Sequence, residues 1–97
     1  MTKVGEHITL DIIGTTKEYD PSVFEKVIHD IANAAKVTIL NISKYKFEPQ
    51  GFTILALLAE SHISFHTFPE KGIISFDFFT CGKVNPSVAI DIIKKEF

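Results

Sequence analysis

The chain has 97 residues and a net charge of −2, with ten Lys and no Arg. This length supports one domain and excludes a multidomain protein. The charge excludes a basic nucleic-acid surface, and neither a basic amphipathic helix nor an apolar run of about 20 residues indicates a membrane partner.

A single cysteine excludes an internal disulfide and favours a reducing compartment, so we expect a cytoplasmic protein. The first ten residues have no apolar segment typical of a signal peptide. Nine Phe support a real core, but a domain of this size buries only about two-thirds of its unfolded surface. We therefore expect a homodimer, without nucleic acid or membrane.

The first half of the chain predicts a strand, a helix and a second strand. His7–Ile13 is rich in apolar and β-branched residues and ends at Gly14. Asp20-Pro21 is a typical helix start, because Asp caps the first turn and Pro fits into it. Apolar side chains then recur at helical spacing as far as Ala35, and Val37–Phe47 again has strand composition.

The second half predicts three strands and a final helix. The strand segments are Thr53–Ala59, Ile63–Phe68 and Ile73–Phe79. Turn signals precede the first strand, at 48–51, and join the last two, at 69–72. Asn85-Pro86 then opens a helix that continues through Ile93.

The element order is therefore β-α-β-β-β-β-α over one domain, residues 1–97. Consecutive strands joined by short turns favour antiparallel pairing. We predict an α+β fold, a two-layer sandwich in which two helices pack on one face of a mainly antiparallel sheet. The other face of the sheet is apolar in places and could carry a dimer contact.

The segment 59–70 places two hydroxyls and two imidazoles within six residues. On local composition alone, a polar strand face or a turn explains them. Ser61 and His66 are five positions apart, so on one regular strand they face opposite sides of the sheet. They can act together only if Ser61 lies in the preceding turn or at a bulge. We expect a tight turn there, where a backbone can be strained and its carbonyl polarised.

Two other kinds of site are weaker interpretations. A hydrolase triad of Ser61, His66 and Asp77 lacks the G-x-S-x-G turn and the usual scaffold. A metal site lacks paired ligand spacing among the four histidines, so we expect no metal. These histidines are His7, His29, His62 and His66.

Three motifs carry a specific joint spacing: Glu60-Ser61-His62, His66-Thr67-Phe68-Pro69-Glu70 and Phe79-Thr80-Cys81-Gly82. Two more lie upstream, Gly5-x-His7 followed by Asp11, and Phe47-x-Pro49-x-Gly51-x-Thr53. Together they resemble the signature of the bacterial and archaeal S-adenosylmethionine decarboxylases, over almost the whole chain.

The resemblance implies a proenzyme that cleaves itself between Glu60 and Ser61. It implies a β chain of residues 1–60 and an α chain of residues 61–97 that begins with a pyruvoyl group made from Ser61. The pyruvoyl ketone forms a Schiff base with the substrate amine and accepts electrons when carbon dioxide leaves. By the same resemblance, His66 and Thr53 assist cleavage, and Cys81 returns a proton to the product. Otherwise Cys81 is a small buried hydrophobe.

The substrate implied by the resemblance is S-adenosylmethionine, whose decarboxylated product donates aminopropyl groups for spermidine synthesis. Phe47 and Phe68 match positions whose rings sandwich the adenine, where stacking and cation–π attraction suit a flat base and a sulfonium. Glu70 and Asp11 match acidic positions near the substrate. The simpler interpretation places both Phe in the core and both acids in surface turns.

Departures from the pattern leave alternatives open. Thr53 stands where serine is usual, Ile54 replaces a small residue and could crowd the site, and relatives tend to continue beyond Phe97. A pyruvoyl-dependent ornithine or arginine decarboxylase needs the same Ser61, His66 and Cys81. A non-catalytic module that binds the nucleoside or a full-length decarboxylase is the alternative from a different class.

Overall fold

The computed structural model describes residues 4–15, 19–81 and 84–97. Its elements, in chain order, are β1 (Gly5–Ile13), α1 (Pro21–Ala35), β2 (Ile39–Lys46), β3 (Phe52–Leu58), β4 (Ser61–Phe68), a short 3₁₀ helix (Pro69–Lys71), β5 (Ile73–Cys81) and α2 (Val88–Glu96). The five strands form one antiparallel sheet in the order β1-β5-β4-β3-β2. The predicted fold class and element order are confirmed.

One face of the sheet packs against both helices and forms the core. Alternate residues of β3, β4 and β5 are buried there with the apolar stripes of α1 and α2. Phe24 of α1 is fully buried, with its ring 5.0 Å from that of Phe52 and 5.1 Å from that of Phe65. Burying one such side chain contributes about 1.5–3 kcal/mol, so these ring contacts anchor α1 across the sheet.

The opposite face of the sheet carries no helix within the described residues, and we call it the open face. The alternation of side chains along each strand assigns residues to it. It includes the polar residues His7, Asp11, Thr53, His62, Ser64, His66, Ser75, Asp77 and Cys81. It also includes Leu55 and Leu57, which are about half exposed.

The ends of the elements follow from local hydrogen bonds. Asp20 accepts from the backbone N–H of Ser22 at 2.9 Å, so α1 begins where Asp20-Pro21 predicts. β2 begins at Ile39 instead of Val37 because the N–H of Val37 bonds to the carbonyl of Ala32 at the end of α1.

The last helix begins two residues later than its Asn-Pro signal suggests. Asn85 Oδ1 accepts from both the backbone N–H and the hydroxyl of Ser87, at 3.0 and 2.8 Å. These bonds close a turn before the helix, and Val88 is its first residue. Neither helix in the described ranges has the length and apolar character that crossing a membrane requires.

Candidate active site

Ser61 follows directly after a strained turn. Ala59 and Glu60 form the two-residue connection between β3 and β4, and Ser61 pairs with Leu58 as the first residue of β4. Glu60 has a φ of 62°, a left-handed backbone that costs a residue with a side chain about 1–2 kcal/mol. Ser61 is only 7 % exposed. Ser61 is therefore largely shielded from water, directly after the left-handed Glu60.

His66 lies far from Ser61 in the same chain. The register between β3 and β4 runs without a shift from Leu58↔Ser61 to Thr53↔His66, so β4 is regular between them. Five residues of strand span about 16 Å, and an odd separation places the two side chains on opposite faces. Neither condition for their cooperation within one chain, a turn position or a bulge, is met.

His66 and Thr53 form a hydrogen-bonded pair on the open face. They are directly opposite each other on β4 and β3, and Thr53 Oγ1 lies 2.8 Å from His66 Nδ1. This bond occupies Nδ1 and orients the ring, which leaves Nε2 as the nitrogen available for proton transfer. The two residues predicted to assist cleavage are thus brought together, but at the opposite end of β4 from Ser61.

A cavity of about 350 Å³ adjoins this pair. Its lining includes Phe47, Phe68 and Glu70 together with Thr53 and His66. Phe47 is 46 % and Phe68 is 38 % exposed, so the interpretation of these rings as core residues is wrong. The volume lies at the lower end of the range for small-molecule sites, and its aromatic walls and one carboxylate suit a flat, polar ligand.

Glu70 and Asp11 occupy different surroundings. Glu70 lies in the 3₁₀ helix, and Gln50 Nε2 donates to its Oε2 at 3.4 Å. Asp11 lies on β1, in the strand and not in a turn, and accepts from Ser75 Oγ at 2.8 Å. Asp11 is not among the residues that line the cavity with Phe47 and Phe68.

A second cavity, of about 270 Å³, lies elsewhere, lined by residues such as Tyr19, Lys46 and Ile74. It includes none of the side chains that the sequence assigned to chemistry. The cavity beside His66 is therefore the better candidate for the substrate site.

Cys81 is the last residue of β5, on the open face and partly buried, with a free thiol. It pairs with Gly5 at the sheet edge, and a Cβ at Gly5 would come within 2.1 Å of the carbonyl oxygen of Thr80. The His62↔Phe79 pairing brings Cys81 to the same end of the sheet as Ser61. Gly82, the last residue of the Cys81 motif, lies outside the described residues.

The hydrolase triad is not assembled. Asp77 accepts a hydrogen bond from Ser64 Oγ at 2.6 Å, and its other carboxylate oxygen lies 3.1 Å from His7 Nε2. His66 is bound to Thr53 instead. Partial burial raises the pKa of Asp77, but the hydrogen bonds from Ser64 and His7 and the charges of His62 and His7 outweigh it, and the pKa lies below its usual value.

Sequence reasoning missed the grouping of His7, His62 and Asp77. One ligand atom from each lies within 4.8 Å of the others. His7 and Asp77 are 70 positions apart, and only the pairing of the edge strand β1 with β5 brings them together. The Gly5-x-His7 motif singled out His7 in the sequence, but it gave no information that Asp77 lies beside it.

Ile54 does not crowd the site. It follows Thr53 on β3, so its side chain projects to the other face, where it is fully buried in the core. The expectation that it narrows the catalytic space is wrong. Its bulk fills the space beneath the helices, and this removes one reason to consider the chain non-catalytic.

Comparisons with known proteins place these features in a family. A family model described as S-adenosylmethionine decarboxylase matches residues 6–97. An S-adenosylmethionine decarboxylase proenzyme of Methanococcus aeolicus is 41 % identical, covering 97 % of this chain and 83 % of its own. One from Prochlorococcus marinus is 42 % identical, over 96 % of this chain and 77 % of its own.

A solved structure agrees with the sequence relatives. The crystal structure of the adenosylmethionine decarboxylase from Aquifex aeolicus matches with a TM-score of 0.78 and 32 % identity, covering 99 % of this chain and 79 % of that one. The family model spans nearly the whole chain, and the sheet with its two helices superimposes on a family member. The chain therefore belongs to the S-adenosylmethionine decarboxylase family.

Proposed function

We propose that this chain is a proenzyme that cleaves itself between Glu60 and Ser61 and then decarboxylates S-adenosylmethionine, the reaction that supplies aminopropyl groups for spermidine. The observation that carries the proposal is the position of Ser61, buried directly after the left-handed Glu60 at a tight turn. Membership of the family supports the same reaction. The lone free cysteine fits a reducing cytoplasm as the site of action.

Cleavage begins with an acyl shift at the turn. Ser61 Oγ attacks the carbonyl carbon of Glu60, the bond from that carbon to the Ser61 nitrogen breaks, and the hydroxyl proton ends on the freed amine. The new ester links Glu60 to Ser61 Oγ. Loss of the Ser61 α-proton then expels the Glu60 carboxylate, which separates residues 1–60 from residues 61–97 and leaves dehydroalanine at position 61. Tautomerisation to the imine and hydrolysis by water then release ammonia and leave the pyruvoyl ketone. Both stages need a proton acceptor near Ser61 and stabilisation of a developing oxyanion.

The proton acceptor comes from a second copy of the chain. His66 lies about 16 Å from Ser61 along β4, with Thr53 beside it, so the pair is too far away to serve the Ser61 of its own chain. If two open faces meet about a twofold axis, the end of one sheet that carries Cys81 and the Glu60–Ser61 peptide bond lies against the end of the other that carries Thr53 and His66. The Ser61 side chain starts on the helix-covered face, so the shared site forms around the peptide bond at the strand end. Such an interface is self-complementary and forms two equivalent sites.

The composition of the open face supports a homodimer. Leu55 and Leu57 lie in the middle of β3, between the two ends of the sheet, and are 46 % and 53 % exposed in the single chain. Adjacent exposed leucines on a sheet are typical of an association surface. Covering them with a second copy also gives a small domain the burial that it lacks alone.

The processed Ser61 end fits a pyruvoyl group. Its buried position at a strand start excludes bulk water, and the thiol of Cys81 lies at the same end of the sheet. The pyruvoyl ketone supplies the electron sink for decarboxylation. Cys81 holds the proton that is delivered to the α-carbon of the product.

The cavity beside His66 binds the nucleoside. Phe47 and Phe68 provide aromatic faces for the adenine and for the adjacent sulfonium, while the Glu70 carboxylate accepts hydrogen bonds from the ribose hydroxyls. Asp11 lies on the same face on β1 but outside the lining of this cavity, so it is a weaker candidate for a second acceptor near the substrate. Ornithine has no flat group to stack on the two rings, and the planar guanidinium of arginine is smaller than adenine, which favours the nucleoside substrate.

The test offers processed protein S-adenosylmethionine, ornithine and arginine, each labelled at the carboxyl carbon. We expect labelled carbon dioxide from S-adenosylmethionine alone, and none from the Ser61→Ala variant. Release from an amino acid instead would overturn the substrate assignment. No release from any substrate by fully cleaved protein would support a binding module.

A further inference from the structure

We propose that His7, His62 and Asp77 form a binding site for a divalent transition metal of the zinc type on the open face. One ligand atom from each residue lies within 4.8 Å of the other two. Neither the cleavage nor the proton transfer described above uses these three side chains, but they lie on the face that the proposed dimer covers, in the same rows of the sheet as Leu55 and Leu57.

The distances are near those of a zinc site. His7 Nε2 lies 3.1 Å from Asp77 Oδ2, and His62 Nε2 lies 3.8 Å from Asp77 Oδ1. In a tetrahedral zinc site with bonds of about 2.0–2.2 Å, neighbouring ligand atoms are about 3.3 Å apart. The three side chains must close from separations of up to 4.8 Å to surround one ion.

The donor set selects the class of metal. Two imidazole nitrogens and one carboxylate oxygen suit zinc and its neighbours in the transition series, whereas magnesium and calcium prefer oxygen ligands. Three protein ligands leave a coordination position for water or another group, as in zinc sites that are not purely structural.

Neighbouring residues hold the three ligands in place. Ser64 Oγ donates to Asp77 Oδ1 at 2.6 Å, which orients the carboxylate from outside the cluster. The ring of Phe79 lies between the two imidazoles in the register, with centroids 6.0 Å from His7 and 5.9 Å from His62. All three ligands lie on the adjacent strands β1, β5 and β4, so the sheet fixes their separation.

The test titrates Zn²⁺ into metal-free, full-length Ser61→Ala protein by calorimetry, so that cleavage plays no part. We expect one zinc per chain. His7→Gln, His62→Gln and Asp77→Asn should each weaken binding at least about tenfold, and Ser64→Ala about tenfold through the carboxylate orientation. His29→Gln, which removes an exposed histidine on α1, is the matched control and should bind as the parent does.

Cobalt gives a second readout, because its visible spectrum distinguishes thiolate ligands from nitrogen and oxygen ligands. We expect no thiolate signature and an unchanged spectrum in Cys81→Ser. The proposal is overturned if the parent binds zinc no more tightly than His62→Gln, if His29→Gln loses as much affinity as the ligand variants, or if Cys81→Ser abolishes binding.

Discussion

Ser61 and His66 lie on the same strand, on opposite faces and about 16 Å apart, with an unbroken register between them. The proposed function therefore takes the His66 that assists cleavage from a second molecule. The first prediction tests this proposal.

Two inactive variants should restore cleavage when they are produced together. Ser61→Ala lacks the nucleophile and His66→Ala lacks the proton acceptor, so each alone should stay uncut. In a mixed dimer, the intact Ser61 of one chain faces the intact His66 of the other. We expect mass spectrometry of co-expressed, differently tagged chains to show cleavage of the His66→Ala chain alone. Absence of cleavage in a verified mixed dimer contradicts the proposal that Ser61 of one chain and His66 of the other form one site.

Thr53 orients His66 through one hydrogen bond made by its hydroxyl. We therefore expect cleavage to require this hydroxyl and not the methyl group. Thr53→Ala should slow cleavage, because the 2.8 Å bond to Nδ1 is lost and the ring can rotate. Thr53→Ser keeps the hydroxyl and should retain a rate close to that of the parent. The cleavage rate of each variant is measured as the half-time on a denaturing gel. Equal slowing in Thr53→Ala and Thr53→Ser would show that cleavage needs the methyl group and not the hydroxyl.

Replacing Cys81 should slow decarboxylation without slowing self-cleavage. Cys81→Ala removes the proposed proton donor but leaves the Ala59–Glu60 turn and Ser61 unchanged, so we expect normal cleavage. Decarboxylation should fall by about 100-fold or more, the usual contribution of a placed general acid. Carbon dioxide release from fully cleaved protein is the measurement, and an unchanged kcat removes Cys81 from the mechanism.

Asp77 should contribute to acid stability. Its folded-state pKa lies below the unfolded value of 3.8, so its stabilising effect is present above that value and is lost as the pH falls through the folded pKa. Asp77→Asn should lower the free energy of unfolding at neutral pH and flatten its dependence on pH below about 4. Ser64→Ala removes one of the responsible hydrogen bonds and should give an intermediate slope in urea titrations. A slope in Asp77→Asn equal to that of the parent contradicts this assignment.

The sequence predicted the fold well because its signals are local. Asp20-Pro21 starts a helix through a bond to Ser22, two residues away, and each short turn joins neighbouring strands. The position of β1 beside β5 was not predicted, because nothing in the sequence of an edge strand identifies its partner. For the same reason the contact between His7 and Asp77 required the structure.

The candidate site was predicted only in part. The pairing of Thr53 with His66 and the shared cavity of Phe47, Phe68 and Glu70 agree with the grouping that the motifs implied. The tight turn expected at Glu60–Ser61 is present, but Ser61 is already the first residue of β4, so the condition for its cooperation with His66 within one chain is not met. Periodicity within one chain gives no information about the contribution of a second chain that we propose.

Cleavage at one peptide bond is the central claim, and intact-mass analysis of the purified protein tests it most directly. We predict that the 10.9 kDa chain gives two fragments, residues 1–60 and 61–97. The second fragment should be lighter than a serine-initiated chain by the mass of one ammonia, and Ser61→Ala should remain whole. A single uncut mass after long incubation of the parent protein, or cleavage that persists in Ser61→Ala, contradicts the account.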